Sequence, residues 1–188
     1  MTEKDMTEQG AQIEPRARIA VYTGSFDPIT LGHLNVIERS SRLVDRLVVG
    51  IGINAEKSGL FSTREREELV STAANHLPNV EVLAFEGLAV NFVRDVGARV
   101  MIRGIRPLTD MAGEITMMLA NRELDPDIET IFLMADQRFA HVSSSLIKQI
   151  TPLASDDELA RFIPASIIPK LREKMRAQRE KTNQPNKN

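Results

Sequence analysis

The side chains in this sequence that could do chemistry are cationic and hydroxylic, and they stand beside glycines. His33 follows Gly32 at the end of the stretch Thr23-Gly24-Ser25-Phe26-Asp27-Pro28-Ile29-Thr30-Leu31-Gly32-His33. Further along come Lys57, the pair of guanidinium groups in Arg103-Gly104-Ile105-Arg106, and the hydroxyls of Ser143-Ser144-Ser145. Cysteine is absent, which excludes thiolate nucleophiles and disulfides. The histidines, at 33, 76 and 141, lack metal-ligand spacing, so no protein-caged metal is expected. What remains is a set of donors for phosphate oxygens: an imidazole N–H, hydroxyls, an ammonium and planar guanidinium forks. Such a set orients anions and offsets developing negative charge. Each member also has a plainer reading by itself. His33 reads as a surface or capping residue, Lys57 as a solvated loop charge, and Arg103 and Arg106 as surface ion-pair partners. Ser143-Ser144-Ser145 is also an ordinary helix cap, which is compatible with phosphate binding.

The elements that must position these groups follow from the apolar pattern. Ile19–Tyr22 reads as a buried strand, Thr23-Gly24-Ser25 breaks it, and Asp27-Pro28 marks a turn. Leu34, Ile37 and Val44, with Val36 and Leu43 beside them, form a helical face, which puts Gly32-His33 at a helix mouth where N–H groups and the dipole favour phosphate. Leu47–Ile53 is a second strand, emptying into the loop that carries Lys57. Ser62 and Glu65 make a capping box for a helix to about His76, itself read as a C-terminal dipole residue. Val80–Phe85 is a third strand, followed by a helix with Ala89, Phe92, Val93 and Val96 on one face. Arg99–Ile102 is a fourth, ending in Arg103-Gly104-Ile105-Arg106-Pro107 as a loop. A helix carrying Met111, Ile115, Met118 and Leu119 follows, its apolar residues read as core or subunit-contact filler. Ile128–Met134 is a fifth strand, Ala135–Val142 a loop, and Ser143 opens a helix through Ile150.

Strand and helix alternation predicts an α/β fold, a doubly wound five-stranded parallel sheet with right-handed crossovers. Ligands of such a sheet bind beyond the carboxyl ends of its strands, so Thr23–His33, Asn54–Ser62, Arg103–Arg106 and Ala135–Ser145 should converge on one cleft. The 188 residues, 42% apolar, suit one domain over 18–173, between a disordered lead-in (1–17) and a polar tail (174–188). Net charge is −2 and aromatics are 4%, which argues against a nucleic-acid partner. Without an apolar run of spanning length or a signal core, no membrane is expected and the cytoplasm is the default compartment.

The segment Thr23–His33 resembles the signature of the nucleotidyltransferase superfamily that carries (H/T)-x-G-H, in the form found in bacterial phosphopantetheine adenylyltransferases. The resemblance extends over about residues 18–172 through Lys57 before Phe61, Leu88–Phe92, Ile102–Arg106, Asp110 with Glu114, Asn121-Arg122, and Phe132-Leu133-Met134 leading to Val142–Ser145. It implies a Rossmann-like domain that joins ATP to 4′-phosphopantetheine, giving dephospho-CoA and pyrophosphate, with Mg²⁺ carried on ATP. It implies that His33 donates to the α-phosphate, Ser25 orients the incoming phosphate, and Lys57 and Arg103 grip that phosphate. Arg106 and Glu114 would hold the ATP side. Phe26, Gly104, Ile105 and Phe139, Ala140, His141, Val142, Ser143, Ser144 and Ser145 would border the nucleotide, and Ala89 the pantetheine arm. A homohexamer and feedback binding of CoA are further implications. Thr23 stands where the family usually has proline, a change expected to be neutral; Met111-Ala112-Gly113 and the small Ala89 also depart from its pattern. A sister enzyme with another acceptor, or a non-catalytic nucleotide-binding module, are the competing readings.

Overall fold

Apolar alternation along the central strand decides how this chain folds. In the computed structural model, which describes residues 17–53, 59–106 and 111–183, β1 (Ile19–Gly24) turns Ala20 and Tyr22 to one side and Val21 to the other. Both sides are buried, so helices must cover both faces. The remaining strands are β2 (Arg46–Gly52), β3 (Val80–Phe85), β4 (Val100–Ile105) and β5 (Glu129–Met134), paired all-parallel in the order β3-β2-β1-β4-β5. The order reverses between β1 and β4. The five-stranded, doubly wound α/β fold is the one the alternation predicted.

On one face α1 (Leu31–Ser41), α2 (Thr63–Ala74), α5 (Ser144–Ile150), α6 (Asp156–Leu159) and α7 (Ile168–Asn183) enclose a core that includes Phe26, Ile29, Ile37, Val49, Ile51, Leu69, Ile147 and Leu171. On the other, α3 (Ala89–Asp95) brings Val90, Phe92 and Val93 against Val21, Val48 and Met101. The Ser62–Glu65 capping box starts α2 as expected. The polar segment after Lys174 continues α7 to Asn183, and the Lys174 ammonium reaches Glu65 at 2.7 Å. Residues 1–16, Lys57, Asp110 and 184–188 lie outside the described residues.

His76 stands just past the C-cap Asn75 at the end of α2, and its ring also meets Glu38 of α1 at 3.2 Å. Three expectations need correction. The buried face of α1 is Asn35, Val36, Ile37, Ser40 and Ser41, while Leu43 lies beyond the helix and is exposed. Arg103, Gly104 and Ile105 belong to β4 itself, since their backbones continue the ladder with Phe132, Leu133 and Met134. Finally, α4 (Met111–Leu124) contributes almost nothing to the core. Only Asn121 is buried on it, and Met117 and Leu119 are 55% and 57% exposed.

Candidate active site

A cleft of about 340 Å³ opens where β1 and β4 diverge, lined from four segments: Tyr22–Ser25, Thr30–Val36, Arg103–Arg106 with Glu114, and Ala135–Ser145. This is the switch point at which a doubly wound sheet receives its ligand, and the size suits a small molecule. His33 and Arg103 share it. The expected convergence holds for three of the four strand-end segments; residues 54–58 of the fourth lie outside the described residues, and its Leu60 and Phe61 are buried and bonded to Asp27.

Thr30 controls the histidine. It caps α1, its Oγ1 accepting from the His33 N–H at 3.3 Å, while its own N–H donates to His33 Nδ1 at 3.1 Å. An Nδ1 that accepts a backbone N–H must carry a lone pair, so the ring proton sits on Nε2. Phe26 packs edge-on to the imidazole at 5.2 Å. Burial, then the nearby Arg106 guanidinium, lowers the His33 pKa from 6.5 to about 4. The ring is therefore a neutral Nε2–H donor at physiological pH.

The loop that carries these groups is tightly constrained. Phe26 has φ of 47°, a left-handed conformation uncommon for a bulky residue, which folds its ring under Gly24; a Cβ on Gly24 would stand 2.9 Å from it. The Asp27 carboxylate accepts the N–H groups of Leu60 and Phe61, each at 2.9 Å, and the Lys148 ammonium of α5 at 3.0 Å. Those bonds outweigh desolvation and hold its pKa below the ordinary carboxylate value. One side chain thus ties the β1–α1 loop to the segment entering α2 and to α5. Ser144 Oγ adds a bond to the Pro28 carbonyl at 2.8 Å, and Ser143 Oγ caps α5 by accepting from the Leu146 N–H. Ser25, in contrast, is exposed toward the cleft.

Arg103 lies across the mouth of β1. Its Nη1 donates to both the carbonyl and the hydroxyl of Thr23, each at 2.8 Å, and Nε and Nη2 clasp Glu114 at 2.6 Å. Thr23 thus gives Arg103 a hydroxyl partner that a proline there would not offer. Arg106 Nη1 donates to the Val142 carbonyl at 3.4 Å. Gly104 keeps β4 close to β1: a Cβ would lie 3.0 Å from Tyr22 Oη. Burial raises the Tyr22 pKa, so its phenol stays protonated.

Of the remaining expected site residues, Gly104, Ile105, Phe139, Val142 and Ser143–Ser145 line the cleft. Phe26 lies under it. Ala140 and His141 follow Phe139 but are not in its wall, and the His141 ring packs on Phe162. Ala89 is packed with the Val21–Val48 core cluster, away from the cleft lining. The sequence places Thr23, Asp27 and Thr30 in a segment expected at the cleft without giving them roles, and it singles out neither Tyr22 nor Val36 as part of the site. Only Thr30, three residues before a helix-opening His, carried a capping signal that could have shown it. Among the described residues no group of His, Asp or Glu could hold a metal, and no helix is long and apolar enough to cross a membrane.

Comparison with known proteins agrees with this geometry. The family model for cytidylyltransferase-like proteins matches residues 21–150. A phosphopantetheine adenylyltransferase of Rhodopirellula baltica is 70% identical over 160 residues, 85% of this chain and 89% of that protein. One from Clostridium botulinum is 47% identical, over 80% and 94% respectively. In fold the chain is similar to a Vibrio parahaemolyticus structure described as a putative nicotinate-nucleotide adenylyltransferase (TM-score 0.60, 18% identity, 85% and 95% covered). It is similar as well to the Plasmodium falciparum nicotinic acid mononucleotide adenylyltransferase (TM-score 0.57, 16% identity, 84% and 96% covered). At those identities the two structures speak to the fold, whereas the closely matching full-length relatives speak to the family. By fold, cleft and sequence, the chain belongs to the phosphopantetheine adenylyltransferase family.

Proposed function

We propose that this chain transfers the adenylyl group of ATP to 4′-phosphopantetheine, giving dephospho-CoA and pyrophosphate. The single observation that carries the mechanism is the fixed, neutral His33 donor, with Arg103 and Arg106 in the same cleft. The acceptor is a phosphate, already nucleophilic at neutral pH, so the site needs no general base. An oxygen of that phosphate attacks the α-phosphorus, a new P–O bond forms, and the bond to the bridging oxygen breaks as pyrophosphate leaves. Rate must come from positioning two anions and from donors aimed at the crowded α-phosphorus.

In this reading Nε2–H of His33 donates to a non-bridging α-oxygen. Ser25, at the rim, orients the acceptor phosphate together with Arg103 and Lys57. Arg106, Gly104, Ile105 and the first turn of α5 take the nucleotide, whose adenine side lies along Phe139–Val142. Glu114 holds the Arg103 fork flat until a phosphate competes for it. Ala89 keeps its proposed place near the pantetheine arm only if that arm reaches toward α3. Among the described residues, Glu114 is the one carboxylate lining the cleft, and it is committed to Arg103. The donor set therefore fits phosphate oxygens, and Mg²⁺ would enter with ATP and supply neutralisation of charge on the leaving group.

The exposed apolar residues of α4 and β5 support assembly into a homohexamer, and a cytoplasmic location accords with a reaction on soluble metabolites. Feedback by CoA is proposed because CoA carries both the adenylyl and the pantetheine parts this cleft must accept. Pyrophosphate release from ATP and 4′-phosphopantetheine tests the activity, with nicotinate mononucleotide as the competing acceptor. Release with 4′-phosphopantetheine alone supports the reading. Preference for the nicotinate acceptor, or ATP binding without turnover, would overturn it.

A further inference from the structure

Arg66 is a buried cation that the mechanism above does not use. It stands at the end of the first turn of α2 and is 9% exposed. Its Nη1 donates to the Ser25 carbonyl at 2.8 Å and to the Gly52 carbonyl at 3.3 Å, and Nη2 donates to Thr63 Oγ1 at 3.2 Å. Its Nε is enclosed without a partner. Among the described residues no carboxylate pairs with it. The neighbouring acids of α2 are turned elsewhere: Glu65 to Lys174, Glu67 to the Ala84 N–H, Glu68 to Arg64 and Lys170. Burying a guanidinium without a counter-ion is costly, and an apolar side chain of similar volume would avoid that cost. The two carbonyls it bridges suggest what the charge is kept for.

The β1–β2 ladder ends at the pair Gly24–Ile51. Ser25 and Gly52 are the next residue of each strand path, beyond the last pair, and they are the two carbonyls that share Nη1. From Ser25 the chain runs into the loop that presents His33, and beyond Gly52 it enters the segment containing Lys57. We propose that Arg66 is a positioning residue: its guanidinium replaces the missing rung of the sheet and fixes Ser25 relative to the end of β2. This rests on the adenylyl-transfer reading for the role of Ser25, and adds to it a group outside the cleft that sets the acceptor phosphate's alignment. A displacement of about 1 Å at a reacting group can cost on the order of a hundredfold in rate.

The test compares wild type, Arg66→Met and Arg66→Lys in the full chain by three measurements: melting temperature, amide hydrogen exchange over residues 25–30, and kcat with KM for each substrate. Arg66→Met is expected to melt cooperatively, to exchange at least about tenfold faster over 25–30 with β3 unchanged, and to lose roughly a hundredfold in kcat. Its KM for ATP should stay within about threefold, since the nucleotide side of the cleft is untouched. Arg66→Lys, which keeps a donor within reach of the two carbonyls, should recover about tenfold of the kcat loss and most of the exchange protection. Arg66→Met with exchange and kcat within twofold of wild type would overturn the proposal, as would Arg66→Lys no better than Arg66→Met. If Arg66→Met does not fold, Arg66→Lys alone decides: a kcat about tenfold below wild type with faster exchange over 25–30 supports the clamp, and kcat and exchange equal to wild type, or a loss of kcat with unchanged exchange, refutes it. A wild-type chain inert toward 4′-phosphopantetheine would sink the adenylyl-transfer reading, while the exchange comparison would still judge the clamp.

Discussion

At the scale of single residues, the site works by fixing protonation states before any substrate arrives. The Thr30 N–H on Nδ1 leaves His33 with one donor, and burial keeps the ring neutral down to about pH 4. An NMR titration of the ligand-free protein should therefore show no His33 ring protonation between pH 7.5 and about 5.5, where an ordinary imidazole would titrate. The linked stability effect has a definite sign. The unfolded chain takes up that proton near pH 6.5 and the folded chain only near 4, so wild type loses stability relative to His33→Gln as pH falls between those values, and the difference levels off below. A ring that titrates near 6.5 in the folded protein would contradict both statements. Thr23 gives a second prediction. Thr23→Val removes the hydroxyl that accepts from Arg103 Nη1 while leaving the carbonyl. A hydrogen bond to a charged group contributes about 1.5 kcal/mol to stability, so the melting temperature should fall by about 3–6 °C, and kcat/KM for the acceptor should fall as Arg103 loses part of its alignment. An unchanged kcat/KM would return Thr23 to the neutral role first expected of it. His33 could be picked out because a Gly-His pair at a helix start is a local feature. Thr23, Asp27 and Arg66 could not, because their partners lie 80, 33 and 41 residues away in the chain.

Among the elements, apolar content told more than burial did. β2 showed itself as a buried apolar run, β3 was legible although Glu81 interrupts it and its residues are only partly buried, and the Ser62–Glu65 box fixed the start of α2. The end of β4 did not, because Arg103 and Gly104 interrupt the apolar run although their backbones remain in the ladder. A strand that ends in a ligand cleft exchanges its last apolar positions for binding groups, so its hydrophobic pattern stops before its hydrogen bonds do. The opposite face of the sheet gives a test that leaves the chemistry alone. Gly50 of β2 lies under the Phe85–Phe92 stack, whose rings are 4.5 Å apart and nearly parallel, and a Cβ there would be 2.5 Å from Phe92. Gly50→Ala should destabilise the fold by about 1–3 kcal/mol through overpacking, measured by denaturant unfolding, with kcat retained below the melting transition. A variant as stable as wild type would mean that the α3 packing yields more readily than this geometry implies.

Over the whole molecule, a doubly wound sheet with both faces covered still leaves one apolar surface open. Met111, Ile115, Met117 and Leu119 of α4, which packs on β4, and Ile131 and Met134 of β5, the strand beside β4, are exposed. Helical spacing left the apolar residues of α4 as either core or subunit-contact filler, since periodicity reports that a face is apolar and not what covers it. If that face joins copies of the chain, Leu119→Glu should shift sedimentation toward smaller species while each subunit keeps its fold. Sedimentation identical to wild type would remove the face from the assembly. The account's central claim is nevertheless catalytic: a prearranged neutral donor and paired cations, without a base or nucleophile, drive adenylyl transfer. Rapid-quench measurement of the chemical step in His33→Ala, at saturating ATP and 4′-phosphopantetheine, tests it most directly. The account predicts a loss of roughly 10²- to 10³-fold with an unaltered fold; a chemical step within a few-fold of wild type would contradict it.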